Sequence, residues 1–377
     1  MRRIKILRLW CGCGIVCLAT SLFVGAGESD PKAEVIFQLP LSPSGLTITT
    51  EGSFLIGVNF EDKPQNRVIE VSKSGESRPF PTTLLSQAAP GEALVLDAVE
   101  GMQAMENGTV WMLDNGRRSE LPPKVVAWDL KHSRLQRVFN LAPPAVLPGS
   151  LLNDLAVSAD QTVVYLADPA GGTDAALVVL DASTGLARRV LQGHPSVVPV
   201  AGLELMIDGQ KLQSRRLDGT VADPKGGVSP IALDRKGEWL YFGPLRSLKL
   251  YRVKTEHLRD PKMEPEKLAG LVEEYSAKPL CDGITIDAKG NVYVSDLAGK
   301  AIGMIEAATK EYHILATDPR FLWPDGLCFG TNGQLCFFTN ARRAAPASLM
   351  SATAKDGMGA TNYLFRLQTP ASGRVGD

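Results

Sequence analysis

Short apolar runs alternate with polar, Gly-containing turns along most of the chain, a pattern typical of β-strands. The stretch WPDGLCFGTNGQLCFFTN (323–340) predicts two strands joined by a turn, with Asp325 just before the first strand. The same unit recurs without gaps at five other places. The six copies begin at the polar residues Ser44, Glu100, Asn153, Ser229, Asp282 and Asp325.

A glycine lies eight residues after the start of five copies, where a tight turn needs a positive φ. These glycines are Gly52, Gly108, Gly237, Gly290 and Gly333, and the third copy has Gln161 there. Two further strand-like runs follow most copies, as in 124–141, 176–193 and 301–316.

Units of about four strands, repeated six times, predict an all-β fold, a six-bladed β-propeller with four-stranded blades. A β-sandwich of the same strands would not explain the gapless recurrence. The runs 34–39 and 362–368 would close the ring, so that strands from both ends of the chain build the last blade.

Two segments depart from the strand pattern. Residues 263–278 place Leu268, Leu271, Val272 and Tyr275 at helical spacing, which predicts a short helix between blades 4 and 5. Residues 341–361 are small, polar and Gly-containing, which predicts a mobile loop.

The first residue of every copy is polar, and the innermost strands of a propeller line its central channel. These positions should therefore form one ring, which explains an acid where a strand enters the core. The strongest oxygen donors of the ring are Glu100, Asn153, Asp282 and Asp325. They would repel unless protonated, hydrated or bridged by a cation, and Ca²⁺ prefers such ligands.

The alternative is that these side chains cap the turns at strand starts, and for Ser44 and Ser229 this is the preferred interpretation. A second polar column follows the second strands, where turn chemistry favours such residues, and it is interpreted as structural: Asn59, Asp114, Asn115, Asp168, Asp296 and Asn340. Trp111, Trp128 and Trp239 lie within predicted strands and are expected to pack in the core.

Residues 1–26 combine four basic residues, an apolar run and the small residues Val24-Gly25-Ala26, which predicts a signal peptide. An uncleaved membrane anchor is the alternative. Cleavage after Ala26 would leave one propeller domain over 27–377, in a secreted or periplasmic location and without a membrane partner.

The mature chain would keep Cys281, Cys328 and Cys336, and a turn centred on 331–333 would place Cys328 opposite Cys336 for a disulfide. A two-residue turn would shift the register and break that pairing. The four histidines are scattered, which argues against a zinc site. A net charge of -1 gives no electrostatic footprint for nucleic acid.

Blocks along nearly the whole mature chain resemble the Yellow / major royal jelly protein family. The most specific are TVWMLDNGR (109–117) and the LYFGPLRS run within 227–253. The resemblance implies a secreted six-bladed propeller, in a family that ranges from pigmentation factors, some proposed to convert dopachrome, to nutritional and amine-binding proteins.

The chain is more distantly similar to gluconolactonase, senescence marker and strictosidine synthase-like propellers. Their metal ligands lie in stretches that Glu100-Gly101, Asn153-Asp154 and Pro324-Asp325-Gly326 resemble. This similarity implies that Glu100, Asn153 and Asp154 contact a ligand or metal. Asn153 is followed by Asp154 rather than glycine, and the substrate-binding Arg and Asn of the lactonases have no identifiable counterpart.

Two functions follow. The first is binding of a small organic ligand, aromatic or amine, at the channel mouth. The second is a divalent-metal-dependent lactonase or esterase, in which a cation polarises a carbonyl or activates water, and Asp282 or Asp325 takes the proton. The oligomeric state does not follow from the sequence.

Overall fold

A computed structural model describes residues 33–59, 62, 64–86, 95–116, 121–215, 221–344 and 361–377. The described residues form six four-stranded antiparallel sheets, the blades of a propeller, numbered here from the first copy of the repeat. Blade 1 comprises Pro43–Ile48, Phe54–Val58, Val68–Val71 and Ser77–Pro79. Blade 2 comprises Val99–Ala104, Thr109–Asp114, Lys124–Asp129 and Arg134–Asn140. Blade 3 comprises Asp154–Val157, Val163–Asp168, Ala176–Asp181 and Ala187–Val190.

The other three blades continue around the axis. Blade 4 comprises Val228–Leu233, Trp239–Pro244, Lys249–Lys254 and Glu273–Ala277. Blade 5 comprises Ile284–Ile286, Val292–Asp296, Ala301–Ile305 and Tyr312–Thr317. Blade 6 comprises Pro324–Phe329, Leu335–Thr339, Asn362–Leu367 and, outermost, Ala33–Leu39.

Blade 6 closes the ring as predicted. Ala33–Leu39 pairs antiparallel with Asn362–Leu367, with Val35 opposite Phe365. The innermost strands of successive blades contact one another, and that of blade 6 contacts that of blade 1. The six-bladed propeller is therefore confirmed, and six starts of equivalent strands face one channel.

The turn between the first and second strands has the backbone that the repeat predicts. All five glycines at this position have a positive φ, from 69° at Gly237 to 87° at Gly108. Gln161 adopts the same left-handed conformation with φ 55°, and its side-chain oxygen accepts a hydrogen bond from Trp111 Nε1 at 3.1 Å. A tertiary contact thus accompanies the unfavourable φ in the one copy without glycine.

A few short elements lie in the loops within and between the blades. They are the helices Thr83–Ser86, Thr255–Arg259, Pro265–Ala269 and Ala341–Ala344, a 3₁₀ turn Gly172–Asp174, and two hairpins, Met206–Ile207 with Gln210–Lys211 and Ser214–Arg215 with Val221–Ala222. Among the described residues, no helix is long and apolar enough to cross a membrane.

The expected short helix lies late in blade 4, on the way to blade 5, but it is shorter than predicted. It spans Pro265–Ala269, and Glu273–Ala277 is instead the outermost strand of blade 4. In the sequence, Tyr275 fits both the helical period and the alternation of a strand. The segment forms a strand because it pairs with Lys249–Lys254. Residues 341–361 were predicted to be a loop, yet the first four form the helix Ala341–Ala344 and residues 345–360 lie outside the described residues.

Apolar side chains of adjacent blades form the core between them. Trp111 lies between blades 2 and 3, and Trp128 lies between blades 1 and 2, both buried as predicted. Trp239 is only half-buried, and the Arg252 guanidinium stacks 4.0 Å from its ring centroid.

The cysteine prediction is half right. Cys328 lies directly opposite Cys336, as the three-residue turn requires. The two are nevertheless free thiols, like Cys281, so the expected disulfide is absent. Burial raises the pKa of the Cys336 thiol to about 12, which disfavours the thiolate needed for exchange.

The far end of the channel is covered by residues 369–377. Gly376 and Asp377 exchange backbone hydrogen bonds with Phe329, and Thr47 Oγ1 donates to Gly376 O at 3.0 Å. Gln103 Nε2 donates to Asp377 Oδ1 at 2.5 Å inside the channel. This segment blocks the end opposite the strand starts.

The predicted signal peptide, residues 1–26, lies outside the described residues, so both it and the 27–377 domain boundary stay predictions.

Candidate functional site: a carboxylate ring at the channel mouth

Irregular strand pairing at the strand starts sets the direction of the ring side chains. The innermost strands of blades 1, 2, 4 and 6 each have a register shift there, including one between Val99 and Met102 and one between Asp325 and Cys328. A β-bulge changes the direction in which a side chain points relative to the regular pleat. Such bulges are common beside functional sites. Glu100 lies within one such shift and Asp325 borders another.

Glycines after the ring residues let neighbouring strands approach closely. A Cβ on Gly45 would lie 1.9 Å from the Glu100 carbonyl oxygen. A Cβ on Gly283 would lie 2.6 Å from Asp325 Oδ1. Because these contacts leave no room for a side chain, glycine at these positions sets the small diameter of the ring.

Three of the four predicted donors converge on one cation, the guanidinium of Arg343. Arg343 Nη2 donates to Glu100 Oε2 at 3.1 Å, and Nη1 donates to Asp282 Oδ2 at 3.0 Å. Asp325 Oδ2 lies 3.6 Å from Nη1. The structure therefore brings carboxylates of blades 2, 5 and 6 together around an organic cation.

The fourth predicted donor, Asn153, joins the ring through a hydroxyl. Asn153 Nδ2 donates to Ser229 Oγ at 2.7 Å, and Ser229 Oγ donates to Asp282 Oδ1 at 2.5 Å. Trp323 Nε1 donates to Asp282 Oδ2 at 2.8 Å. Ser229 is thus part of the ring network, whereas Ser44 donates to the Val99 carbonyl oxygen of blade 2 at 2.6 Å.

Two carboxyl groups of the site favour protonation. Burial, helped by the charge of Asp282, raises the pKa of Asp154 to about 8, although the Leu155 N–H stabilises its charged form. Burial and Asp282 also raise the pKa of Asp325 well above its usual range, against the opposing effect of Arg343. Asp154 is therefore largely a neutral acid at neutral pH, able to donate a hydrogen bond.

The second polar column mainly holds loops in place. Asp114 is fully buried, accepts hydrogen bonds from the backbone N–H groups of Asp97, Ala98 and Gly116, and pairs with Lys124 Nζ at 2.8 Å. Asn115 departs from this role, because its Nδ2 lies 3.4 Å from Glu100 Oε1 and so reaches the ring.

The channel behind the ring is narrow. It encloses about 70 Å³, room for a few water molecules, and is lined by Asp154 and Asp325 near the mouth and by Asp377 at the covered end. Small-molecule pockets typically measure roughly 300–1,000 Å³. The channel interior therefore admits water or a small ion, and a larger ligand must lie at the mouth.

Sequence reasoning missed Arg343 and Trp323. Arg343 belongs to no copy of the repeat and lies in a segment predicted to be a loop. Trp323 lies two residues before the sixth copy, has a φ of 52°, and packs in an apolar cluster with Leu205 and Leu212, which lie between blades 3 and 4, and with Leu245, Leu280 and Leu297. The doubled arginine Arg342-Arg343 after a second strand was the available signal.

Comparison with known proteins agrees with this architecture. A sequence model of the family described as major royal jelly protein matches residues 98–340, more than half of the chain. No curated protein sequence matches the chain.

Several solved structures share the fold at low identity. A calcium-binding protein, regucalcin, from Agrobacterium tumefaciens has a TM-score of 0.55 at 14% identity, covering 91% of this chain and 95% of that one. A gluconolactonase from Xanthomonas campestris has a TM-score of 0.53 at 11% identity, covering 89% of each chain. A luciferin-regenerating enzyme has a TM-score of 0.56 at 12% identity, covering 91% of this chain and 97% of that one.

The predicted metal set, Glu100, Asn153, Asp282 and Asp325, has the oxygen chemistry that Ca²⁺ prefers but not the arrangement. Within the described ranges, no group of three or more acidic, His or Cys side chains is arranged to hold a metal ion. The carboxylate oxygens instead surround the larger, planar guanidinium of Arg343. With Arg343 in place, these residues do not fit a metal ion.

Proposed function

The chain belongs to the major royal jelly protein family, and from this premise we propose that it binds a small organic amine with an aromatic body at the channel mouth. Glu100, Asp282 and Asp325 accept the N–H groups of the ammonium, and Asn153 and Asp154 line the approach. Asp282 and Asp325 act here as hydrogen-bond acceptors rather than in catalysis.

The main support for amine binding is that the ring already holds an organic cation. The Arg343 guanidinium donates to Glu100 and Asp282 at 3.0–3.1 Å, which is the geometry of charge-assisted N–H···O bonds. An ammonium group offers the same kind of donor to the same oxygens.

The ring borders a buried apolar cluster, and its channel is too narrow for the body of a ligand. Trp323 bridges the ring and an apolar cluster that includes Leu205, Leu280 and Leu297. Because the channel behind the ring holds only about 70 Å³, the body of the ligand would remain at the mouth while its ammonium enters the ring.

We also propose that the protein acts outside the cytoplasm, secreted or periplasmic, on the basic and apolar pattern of residues 1–26. Mass spectrometry of the protein from its native host should show a chain beginning near Gly27. An intact Met1 would contradict this location.

A divalent-metal-dependent lactonase is the second candidate. It is favoured by the oxygen-rich ring on a fold shared with a gluconolactonase and a calcium-binding regucalcin. Stoichiometric divalent metal in the purified protein, together with lactone turnover, would replace the amine proposal with this one.

Isothermal titration with phenethylamine tests the proposed function, with phenethyl alcohol as the uncharged analogue. We expect the amine to bind and the alcohol to bind at least about tenfold more weakly, because a hydrogen bond to a charged group contributes about 1.5–3 kcal/mol. Asp282→Asn should weaken amine binding by a similar factor, and the exposed Asp174→Asn should not. Equal binding of amine and alcohol, or no effect of Asp282→Asn, would contradict the proposal.

A further inference from the structure

Arg343 is the one basic side chain that the described ion pairs place against three ring carboxylates from three different blades. It projects from the short helix Ala341–Ala344, directly after the second strand of blade 6. The backbone N–H of Arg343 donates to Asn340, and Asn340 Nδ2 donates in turn to the Pro43 carbonyl oxygen at 2.8 Å. The start of the helix is thereby fixed to blade 1.

The ring needs a positive charge. The side chains of Glu100 and Asp282 are only 6% and 2% exposed, and such buried carboxylates are costly unless they are paired with a cation. Arg343 is 23% exposed, so its guanidinium lies between the ring and solvent.

We propose that Arg343 is a built-in counter-ion of the ring, and that any diffusible cation enters only when this side chain leaves. A second cation placed among the same oxygens would meet the guanidinium at contact distance, and like charges at that distance repel strongly. The oxygen lone pairs that a metal would need accept Arg343 N–H groups instead. Arg343 thereby decides which cations the ring accepts, and this role depends on the ring geometry alone and not on amine binding.

The side chain that must move for release is a flexible one. The arginine side chain has several rotatable bonds, and its head is partly exposed, so it can turn towards solvent without a change in the helix. The adjacent Arg342 is separately held, with Nη1 2.6 Å from Asp62 Oδ1, which anchors the helix while Arg343 moves.

The experiment is a calcium chloride titration of wild type and Arg343→Gln, followed by thermal unfolding and by isothermal titration. Arg343→Gln should gain saturable Ca²⁺ binding at least about tenfold tighter than wild type, with a melting temperature that rises with Ca²⁺ concentration. Arg342→Gln is the matched control on the same helix and should behave like wild type. Adding Asp282→Asn to Arg343→Gln should remove the gain.

Two results would overturn the proposal: the same Ca²⁺ response in Arg343→Gln as in wild type, or tight stoichiometric Ca²⁺ binding by wild type. If Arg343→Gln does not fold alone, folding on addition of Ca²⁺ or of the second change Asp282→Asn supports the counter-ion role. Failure of both to restore folding would contradict it. The Ca²⁺ titration does not depend on amine binding. If phenethylamine does not bind, the proposed function fails while the counter-ion role of Arg343 can still be tested.

Discussion

Asp154 makes the stability of the protein depend on pH in a direction opposite to that of an ordinary salt-bridged acid. Its pKa rises from 3.8 to about 8 on folding, because the carboxyl group is buried beside Asp282. Between these values the folded state holds a proton that the unfolded state has lost. The free energy of unfolding therefore falls as the pH rises through this window, and it levels off above it.

The size of the effect follows from the shift. A difference of about four in pKa, at about 1.36 kcal/mol each, gives an upper bound of about 5 kcal/mol. The Asp154 side chain is only partly buried, because it lines the channel. Solvent screening there reduces the expected change in the free energy of unfolding to about 2–4 kcal/mol.

Asp154→Asn removes the titrating group while keeping its shape. Urea unfolding of both proteins at about pH 5 and about pH 9 should show a variant that gains about 2–4 kcal/mol relative to wild type as the pH rises. The exposed Asp174→Asn should show no such pH-dependent difference. A constant difference between Asp154→Asn and wild type across this range would refute the reasoning.

Two further predictions concern the scaffold. Lys124→Met should destabilise the protein by about 3–5 kcal/mol in urea unfolding, because it leaves the fully buried Asp114 without its cation. Lys249→Met, which breaks an exposed pair with Glu274, should cost under about 1 kcal/mol, and equal costs for the two would contradict the burial argument. The three cysteines of the described residues should all react with a thiol reagent in denatured, non-reduced protein, and a count of one would indicate a disulfide.

The blade count and the ring positions were predictable because the same backbone unit recurs six times. A gapless repeat fixes which residues are equivalent, and equivalent residues of a propeller surround one axis. The positive φ of Gln161 shows the strength of this constraint, since the turn keeps its conformation without glycine.

Arg343 was not predictable by the same reasoning, because it lies beyond the end of the sixth copy and a repeat does not show which side chain outside it reaches the ring. Its position depends on how the short helix Ala341–Ala344 packs after the second strand of blade 6, and tertiary contacts determine that packing. The helix predicted over Glu273–Ala277 was wrong for a related reason. The local pattern of this segment suits a helix, but pairing as the fourth strand of blade 4 determines its conformation. The cover of residues 369–377 over the channel likewise depends on contacts distant in sequence.

The central claim is that the carboxylate ring binds an organic ammonium group at the channel mouth. A crystal structure of the protein soaked with para-bromophenethylamine tests it most directly, since the anomalous signal of bromine locates the ligand. We predict an ammonium within hydrogen-bond distance of Glu100 and Asp282, the Arg343 guanidinium turned towards solvent, and the bromine outside the ring. Bromine density only elsewhere on the surface, with Arg343 still bound to Glu100 and Asp282, would contradict the claim.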